Sequence, residues 1–590
     1  MGQADQVDFS PLARRVLEQR YLRRAEDGRI LETPEGLFRR VARTVAAAEH
    51  RYGSPQAAAQ MEEAFYQAML ARKFLPNSPT LMNAGTSRQQ LAACFVLPVE
   101  DNMESILGAV RDMALIHQSG GGTGFDFSHL RPRRDPVRTT GGVASGPVSF
   151  MQIFNTTTEV IKQGGRRRGA NMGILRYDHP DIFEFIQAKA TPGAFSHFNL
   201  SVAVSDAFME HVARDQTYSL INPRTGSVTK TVPARQVFDL ICQQALETGD
   251  PGLVFLDAIN RANPLPDLGR LEVTNPCGEQ PLLPYEACNL GSINLARLAR
   301  RDQVDWQELD RLVCLGVTFL DDVIDQSHYP LPQIDALTRA NRKIGLGVMG
   351  LADLFISLGI PYDAPEALDL AERLMARIQA TAVAQSEQLA QVRGPFPNFS
   401  RSRWHQEGQP PRRHATLTTI APTGTISLIA GTSSGIEPLF AIAYMRRALE
   451  GQEFFQVHPL FIQKLREAGL DPNHWLPQIS PVGRVRPFTA LPESLRRLFP
   501  TTYEVTAEIQ LQMQAAFQRH VDNAVSKTVN LPPDATIAQV AQVFQLAYRL
   551  GLKGVTVYRY GARAGQVLNL PPEPLTLASE FSEECRLCSV

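Results

Sequence analysis

The sequence predicts an α/β protein with a small helical region at its N-terminus, and three observations carry that expectation. Between about Asn77 and Arg563, short β-branched runs alternate with amphipathic stretches, as where FNLSVAVS precedes AFMEHVAR and ATLTTIAP precedes GTISLIAG. From about Pro34 to Lys73 the apolar positions recur at helical spacing alone, in LFRRVARTVAAAEHRY and AQMEEAFYQAMLARKF. After Gly565 the segment LNLPPEPLTLASEFSEECRLCSV is rich in Pro and acid with little apolar periodicity, which suits a mobile tail better than a core. The expected division is a helical region over 1–75, an α/β region over 76–565 and a tail over 566–590.

Composition bounds the function. The chain has 590 residues, 44% hydrophobic and 20% charged, enough for a large core of ordinary soluble type. Lys+Arg total 59 against Asp+Glu 60, a formal charge of -1, so no global basic field points to nucleic acid or a membrane surface. Any anionic ligand must be held by local groups. The N-terminal MGQADQVDFSPLARRV has no apolar run behind a basic start, and no stretch of about 18 apolar residues follows, so the expected location is cytoplasmic. The long helical patterns EALDLAERLMARIQATAVAQSEQLAQ and EVTAEIQLQMQAAFQRHVDNAV suit covering a sheet or an oligomer interface.

Seven cysteines in so long a chain do not make a secreted disulfide framework. Cys242 and Cys314 sit on apolar faces of helical patterns and read as buried core thiols. Cys94, Cys277, Cys288, Cys585 and Cys588 lie beside Gly, Pro and Asn punctuation or in the tail, where reactive groups are displayed.

Five constellations could carry chemistry. In TNPCGEQPLLPYEACNLGSINLA, Asn275, Cys277 and Glu279 occupy alternate positions, and an extended segment would put them on one face. A thiol flanked by an amide and a carboxylate suits hydrogen-atom and proton transfer, while a buried cysteine in a turn stays open on residue types alone. Cys94 and Cys288, both on strand-like runs, could face each other and supply two electrons by forming a disulfide. Cys585-Arg586-Leu587-Cys588 suits dithiol exchange; with no second C-x-x-C beside it, a zinc site is the weaker reading and no metal is expected. Pro422-Thr423-Gly424-Thr425 joins a β run to a helix and offers free amides for phosphate, or is a simple capped turn; it lacks a Walker lysine. VIKQGGRRRGANMG brackets Arg166-Arg167-Arg168 with glycines, giving a mobile loop that could meet a base or phosphate, or a solvated basic loop. The GGGTG run at 120–124 lacks the spacing of a dinucleotide fingerprint.

Taken together, NSPTLMNAG, the Cys94 segment, HQSGGGTGFDFSHLRP, GGVASGPVSFM, KQGGRRRGANMG, NPCGE with CNLGSINLA, RKIGLGVMGLAD and APTGTIS resemble, in order, the catalytic subunit of ribonucleotide reductases. The resemblance implies a ten-stranded α/β barrel of two five-stranded parallel halves, with Cys277 at the tip of a finger loop inside it. It implies Cys277 as the thiyl radical that abstracts the 3′-hydrogen, Glu279 as base on the 3′-hydroxyl, Asn275 on a ribose hydroxyl, and Cys94 with Cys288 as the reducing pair. Ser78, Ala93, Thr423, Gly424 and Thr425 fall where the family binds substrate. Asp101, Arg138, Gln163 and Arg167 fall where it binds a dNTP or ATP specificity effector at a homodimer interface. Cys585 and Cys588 would restore the active-site pair, with a thioredoxin-like protein as reductant.

The thiyl radical needs an outside source, since homolysis of an ordinary S–H bond is too costly. Oxygen-dependent relatives use two adjacent tyrosines near the barrel's end, whereas GLKGVTVYRYGAR separates Tyr558 from Tyr560 by Arg559. A glycyl-radical loop is not recognisable, and GLKGVTVYRYGAR followed by AGQVL resembles the adenosylcobalamin-dependent branch. The resemblance therefore implies adenosylcobalamin as cofactor, with a ribonucleoside di- or triphosphate as substrate. The first 70 residues differ from an ATP-cone module, so no dATP on/off switch of that kind is expected.

Overall fold

The computed structural model describes residues 9–137, 141–163, 167–448, 452–562 and 568–570. Arg138, Cys585 and Cys588 therefore lie outside the described residues.

The N-terminal helices are Pro11–Val16 (α1), Pro34–Ala46 (α2) and Pro55–Leu70 (α3). Each starts the same way: a hydroxyl residue, Ser10, Thr33 or Ser54, caps a backbone amide, and a proline follows in the first turn, where its missing N–H costs nothing. Leu37, Phe38, Val41 and Val45 of α2 share one buried cluster with Phe65 and Met69 of α3. A buried charge network fixes this layer to the rest, since Arg393 reaches Glu49 at 2.5 Å, Asp321 at 2.8 Å and Asp322 at 2.7 Å.

The α/β part is built from two parallel halves. Cys94–Val96 (β1), Gly122–Asp126 (β2), Asn171–Arg176 (β3), Phe198–Val204 (β4) and Gly252–Phe255 (β5) pair in parallel in that order. In the second half, Ala287–Asn294 (β6) pairs in parallel with Ile344–Met349 (β7). Segment 416–420 then bridges β7 at Leu346/Thr418 and, through Ile420/Val525, the chain entering Thr528–Leu531 (β8), which pairs in parallel with Gly554–Arg559 (β9). The halves join antiparallel, β1 to β6 with Cys94 opposite Cys288, and β5 to β9 with Leu253 opposite Val555.

Among the described residues the ring therefore closes with five members per half. The barrel implied by the resemblance is the one observed. β2, β6 and β7 are buried along their whole length, as parallel strands covered on both faces must be. Outside run helices Met103–Gln118 (α4), Pro147–Val160 (α5), Trp306–Gln326 (α6) and Pro365–Arg393 (α7). Inside, Val273–Thr274 and Pro281–Leu282 pair as a finger hairpin. The glycines of the 120–124 run make room for it. A Cβ on Gly124 would stand 1.9 Å from the Thr274 carbonyl oxygen, and one on Gly122 would stand 2.9 Å from Pro276 Cγ.

Cys242 is fully buried as expected, but Cys314 is half-buried, because its turn of α6 faces partly to solvent. No helix among the described residues is long and apolar enough to cross a membrane.

Candidate active site

The finger carries Asn275, Cys277 and Glu279 on a tight turn, which corrects the expectation of an extended segment with one shared face. Asn275 closes the turn by accepting Gln280 N on Oδ1 at 3.0 Å and Gly278 N on its carbonyl at 3.1 Å. Gly278 takes φ +82°, a conformation that glycine supplies without strain. The turn separates the three side chains: Cys277 is exposed at the tip, while Asn275 and Glu279 are each 2% exposed.

The barrel wall holds this turn from three sides. Asn199 Nδ2 of β4 donates to Pro276 O at 2.8 Å, Thr419 Oγ1 donates to Glu279 O at 2.8 Å, and Ala524 N donates to the same oxygen at 2.9 Å. Sequence reading missed Asn199 and Thr419, whose surroundings, FNLSVAVS and ATLTTIAP, read only as strands.

Cys94 sits directly against the turn. Asn275 Nδ2 donates to its sulfur at 3.1 Å, and the thiol points at Glu279 Oε1 at 3.9 Å. Across the β1–β6 ladder its partner is Cys288. Residues opposed in this way have Cα atoms about 4.5–5.5 Å apart, inside the span a disulfide bridges.

Cys288 has no exposed surface, and its thiol donates to Asn289 O at 3.5 Å and Lys343 O at 3.6 Å. Burial pushes its pKa well above that of an ordinary cysteine, against the pull of Lys343, so it stays protonated. Behind it Lys343 Nζ meets Glu286 at 2.5 Å, and Asn341 Nδ2 donates to the other Glu286 oxygen at 2.6 Å. This buried pair, separated by 57 positions in the chain, left no signal in the sequence.

A cavity of about 980 Å³ opens at the finger tip, lined by Pro276, Cys277 and Gly278 on one side and by Pro422 and Ser427 on another. The predicted phosphate turn leads into a short helix, Ile426–Ala430 (α8). Thr423 is buried at φ +53°, and its hydroxyl oxygen accepts Gly435 N at 2.7 Å, so it shapes the turn. Gly424 is exposed with open space where a side chain would be, and Thr425 is half-buried at the helix start. Ser78 pairs with Tyr21 Oη at 2.8 Å, and the Ala93 backbone joins Cys288 O at 3.1 Å and Gly122 N at 2.8 Å.

The effector candidates stand on other elements than the finger. Asp101, just before α4, is held by Arg131 through a pair at 2.7 Å. Gln163 and Arg167 are register partners in a short antiparallel ladder after α5.

A barrel holding a thiol on an internal finger, with two further thiols opposed on its wall, has the layout of a cysteine-based redox enzyme. Residues 92–558 match the ribonucleotide reductase barrel domain, and residues 7–89 match the ribonucleotide reductase all-alpha domain. The chain belongs to the ribonucleotide reductase family. It is 51% identical over 589 residues to a vitamin B12-dependent ribonucleoside-diphosphate reductase of Mycobacterium tuberculosis, covering 99% of this chain and 84% of the relative. A protein of the same description from Thermoplasma acidophilum is 46% identical, with 96% and 81% covered. In fold, the chain is similar to the Actinobacillus ureae class Id ribonucleotide reductase alpha subunit, with TM-score 0.76, 24% identity, and 94% of this chain and 97% of that one covered.

Proposed function

We propose that this chain reduces ribonucleoside diphosphates to 2′-deoxyribonucleotides by a thiyl-radical reaction started by adenosylcobalamin. One observation carries the reading: exposed Cys277 shares a turn with buried Asn275 and Glu279, both of which meet Cys94, the cross-strand partner of Cys288. The Mycobacterium and Thermoplasma relatives, both vitamin B12-dependent ribonucleoside-diphosphate reductases by description, support the cofactor and the diphosphate.

The cavity fits such a cofactor. Phe440, Tyr444, Tyr503 and Tyr558 line it, with Phe440 edge-on to Tyr444 and Tyr503 at 5.6 and 6.0 Å, an aromatic surface suited to a large planar ring. When bound, adenosylcobalamin would supply, from its weak cobalt–carbon bond, a carbon-centred radical able to take the hydrogen atom of a thiol.

The chain's own residues do the rest. Cys277 Sγ takes the 3′-hydrogen, Glu279 accepts the 3′-hydroxyl proton, and Asn275 holds a ribose hydroxyl. Cys94 protonates the 2′-hydroxyl, which departs as water. The Cys94–Cys288 pair supplies two electrons and ends as a disulfide, and Cys277 returns the hydrogen to C3′. The sum is ribonucleotide plus dithiol giving deoxyribonucleotide, water and disulfide. Cys288, kept protonated by burial, supplies the second of the two protons.

Ser78, Ala93, Thr423, Gly424 and Thr425 frame the phosphate end, with amides at the α8 start as donors. The tail dithiol, Cys585 and Cys588, reopens the disulfide by exchange and is itself reduced by a thioredoxin-like protein. Two copies pair through α4 and α5, which expose Met103, Leu107, Leu115, Ile153 and Val160, and a nucleotide effector binds near Asp101 at that interface.

A second reading, an oxygen-dependent large subunit, has one feature in its favour: Tyr558 lines the cavity, and neighbouring Tyr560 packs edge-on to Tyr503 at 5.4 Å. The test is anaerobic reduction of CDP and CTP by the purified chain with dithiothreitol and deoxynucleotide effectors, with and without adenosylcobalamin. Cobalamin-dependent dCDP is the expected product. No product without a second, metal-bearing protein would transfer the assignment to the oxygen-dependent reading.

A further inference from the structure

At the root of the finger a separate group of side chains gathers, none of which the reaction uses. Asp126 ends β2, His129 follows three residues on, and Glu272 immediately precedes the finger strand Val273–Thr274. One donor atom from each lies within 4.8 Å of the others. His129 Nε2 faces Glu272 Oε2 at 3.4 Å and Asp126 Oδ2 at 3.9 Å. Metal–ligand bonds of about 2.0–2.1 Å in a tetrahedral shell put neighbouring ligand atoms about 3.3–3.4 Å apart, so the His129–Glu272 pair already has that spacing and the Asp126 oxygen closes on His129 by roughly half an ångström.

Two further observations point to a ligand. Asp126 is 8% exposed; its Oδ1 accepts Ser128 N at 2.9 Å, but its Oδ2, the atom facing His129, makes no hydrogen bond. A buried carboxylate oxygen left so is costly unless something positive meets it. On the far side of the imidazole, His129 Nδ1 meets Glu100 Oε1 at 3.3 Å. With Glu100 accepting the Nδ1 proton, a metal ion takes the place of the proton between Nε2 and Glu272, and Glu100 is then the outer support that metal-binding histidines have.

We propose that Asp126, His129 and Glu272 bind a divalent cation of the manganese, iron or zinc type, with Glu100 as the carboxylate behind the histidine. One imidazole and two carboxylates suit that class, and the partial exposure of His129 and Glu272 leaves room for water ligands. The ion ties the end of β2 to the strand that enters the finger, beside the contact of Gly124 with Thr274. It is thus a staple on the element that carries Cys277, separate from the thiols and from the cavity.

The experiment uses the full chain, stripped of metal with a chelator and free of nucleotide, titrated with Mn²⁺ while the signal of free aqueous Mn²⁺ is followed by electron paramagnetic resonance. Manganese is the probe because cysteine thiolates compete poorly for it. One Mn²⁺ bound per chain is expected. Asp126→Asn and Glu272→Gln should each weaken binding at least 10-fold, and Glu100→Gln by about 10-fold. Saturating Mn²⁺ should raise the unfolding temperature of the wild type and leave that of Glu272→Gln unchanged, a control that does not depend on the buried Asp126 tolerating substitution. Absence of binding, or equal binding by wild type, Asp126→Asn and Glu272→Gln, would overturn the proposal and leave His129 as an ion-paired side chain.

Discussion

Adding one methyl group at Gly124 should disable the site without touching a reacting residue. Its Cβ would stand 1.9 Å from the Thr274 carbonyl oxygen, against a closest real approach of 3.0 Å, so the finger must retreat by at least about 1.1 Å. Thr274 is three residues from Cys277 on a turn fixed at Pro276 and Glu279, which leaves the strain no flexible neighbour to absorb it. Misplacing a reacting group by about 1 Å can cost roughly 100-fold in rate, and overpacking a filled interior typically costs about 1–3 kcal/mol. Gly124→Ala should therefore lower kcat at least 100-fold with a modest fall in urea midpoint. Gly36→Ala is the control, since its Cβ would meet Glu32 Cβ at 3.5 Å and Thr33 Oγ1 at 3.6 Å, both ordinary contacts. A Gly124→Ala protein turning over at the wild-type rate would refute the argument that the glycine exists to seat the finger.

Iodoacetamide at pH 8 should label exposed Cys277 in the native chain and spare Cys288, which burial keeps protonated and covered; peptide mapping before and after denaturation checks this. Gly424→Ala, whose Cβ enters open space over the turn, should raise KM for CDP about 10-fold while the unfolding temperature holds, since the methyl group obstructs phosphate approach and meets no atom of the chain within 4 Å. His179 donates from Nε2 to Leu130 O at 2.8 Å and accepts Asp181 N on Nδ1 at 3.0 Å, and burial lowers its pKa to about 4. The unfolded imidazole titrates near 6.5, so the unfolded chain binds the extra proton between those values, and stability falls as pH drops from 6.5 to 4, by about 3 kcal/mol. Urea midpoints across that range should show the fall, and His179→Gln should remove about that much of it.

Residues whose chemistry is local were legible in the sequence, and those whose role depends on the far side of the barrel were not. Asn275, Cys277 and Glu279 stand out because three functional groups crowd one Pro/Gly-bounded segment, yet alternation alone suggested an extended strand where Pro276 and Gly278 make a turn. The α/β class followed from periodicity, but barrel closure did not. Segment 416–420 completes the ring through two isolated bridges, and only three-dimensional pairing shows them. Gly122 and Gly124 were ambiguous, in a run without the spacing of a dinucleotide fingerprint, because the finger that presses on them is about 150 residues away in the chain. Lys343 and Glu286, buried together behind Cys288, were invisible for the same reason.

The most direct test of the thiol chemistry is a single turnover without external reductant. A chain carrying Cys585→Ser and Cys588→Ser, reduced and then freed of dithiothreitol, is mixed anaerobically with CDP, effector and adenosylcobalamin, and product and disulfides are measured together. One dCDP per chain is expected, with a disulfide mapped by mass to Cys94 and Cys288, and neither when Cys277→Ala is added. Product formed in the Cys277→Ala background, or a disulfide elsewhere with Cys94 and Cys288 still reduced, would contradict the thiol chemistry.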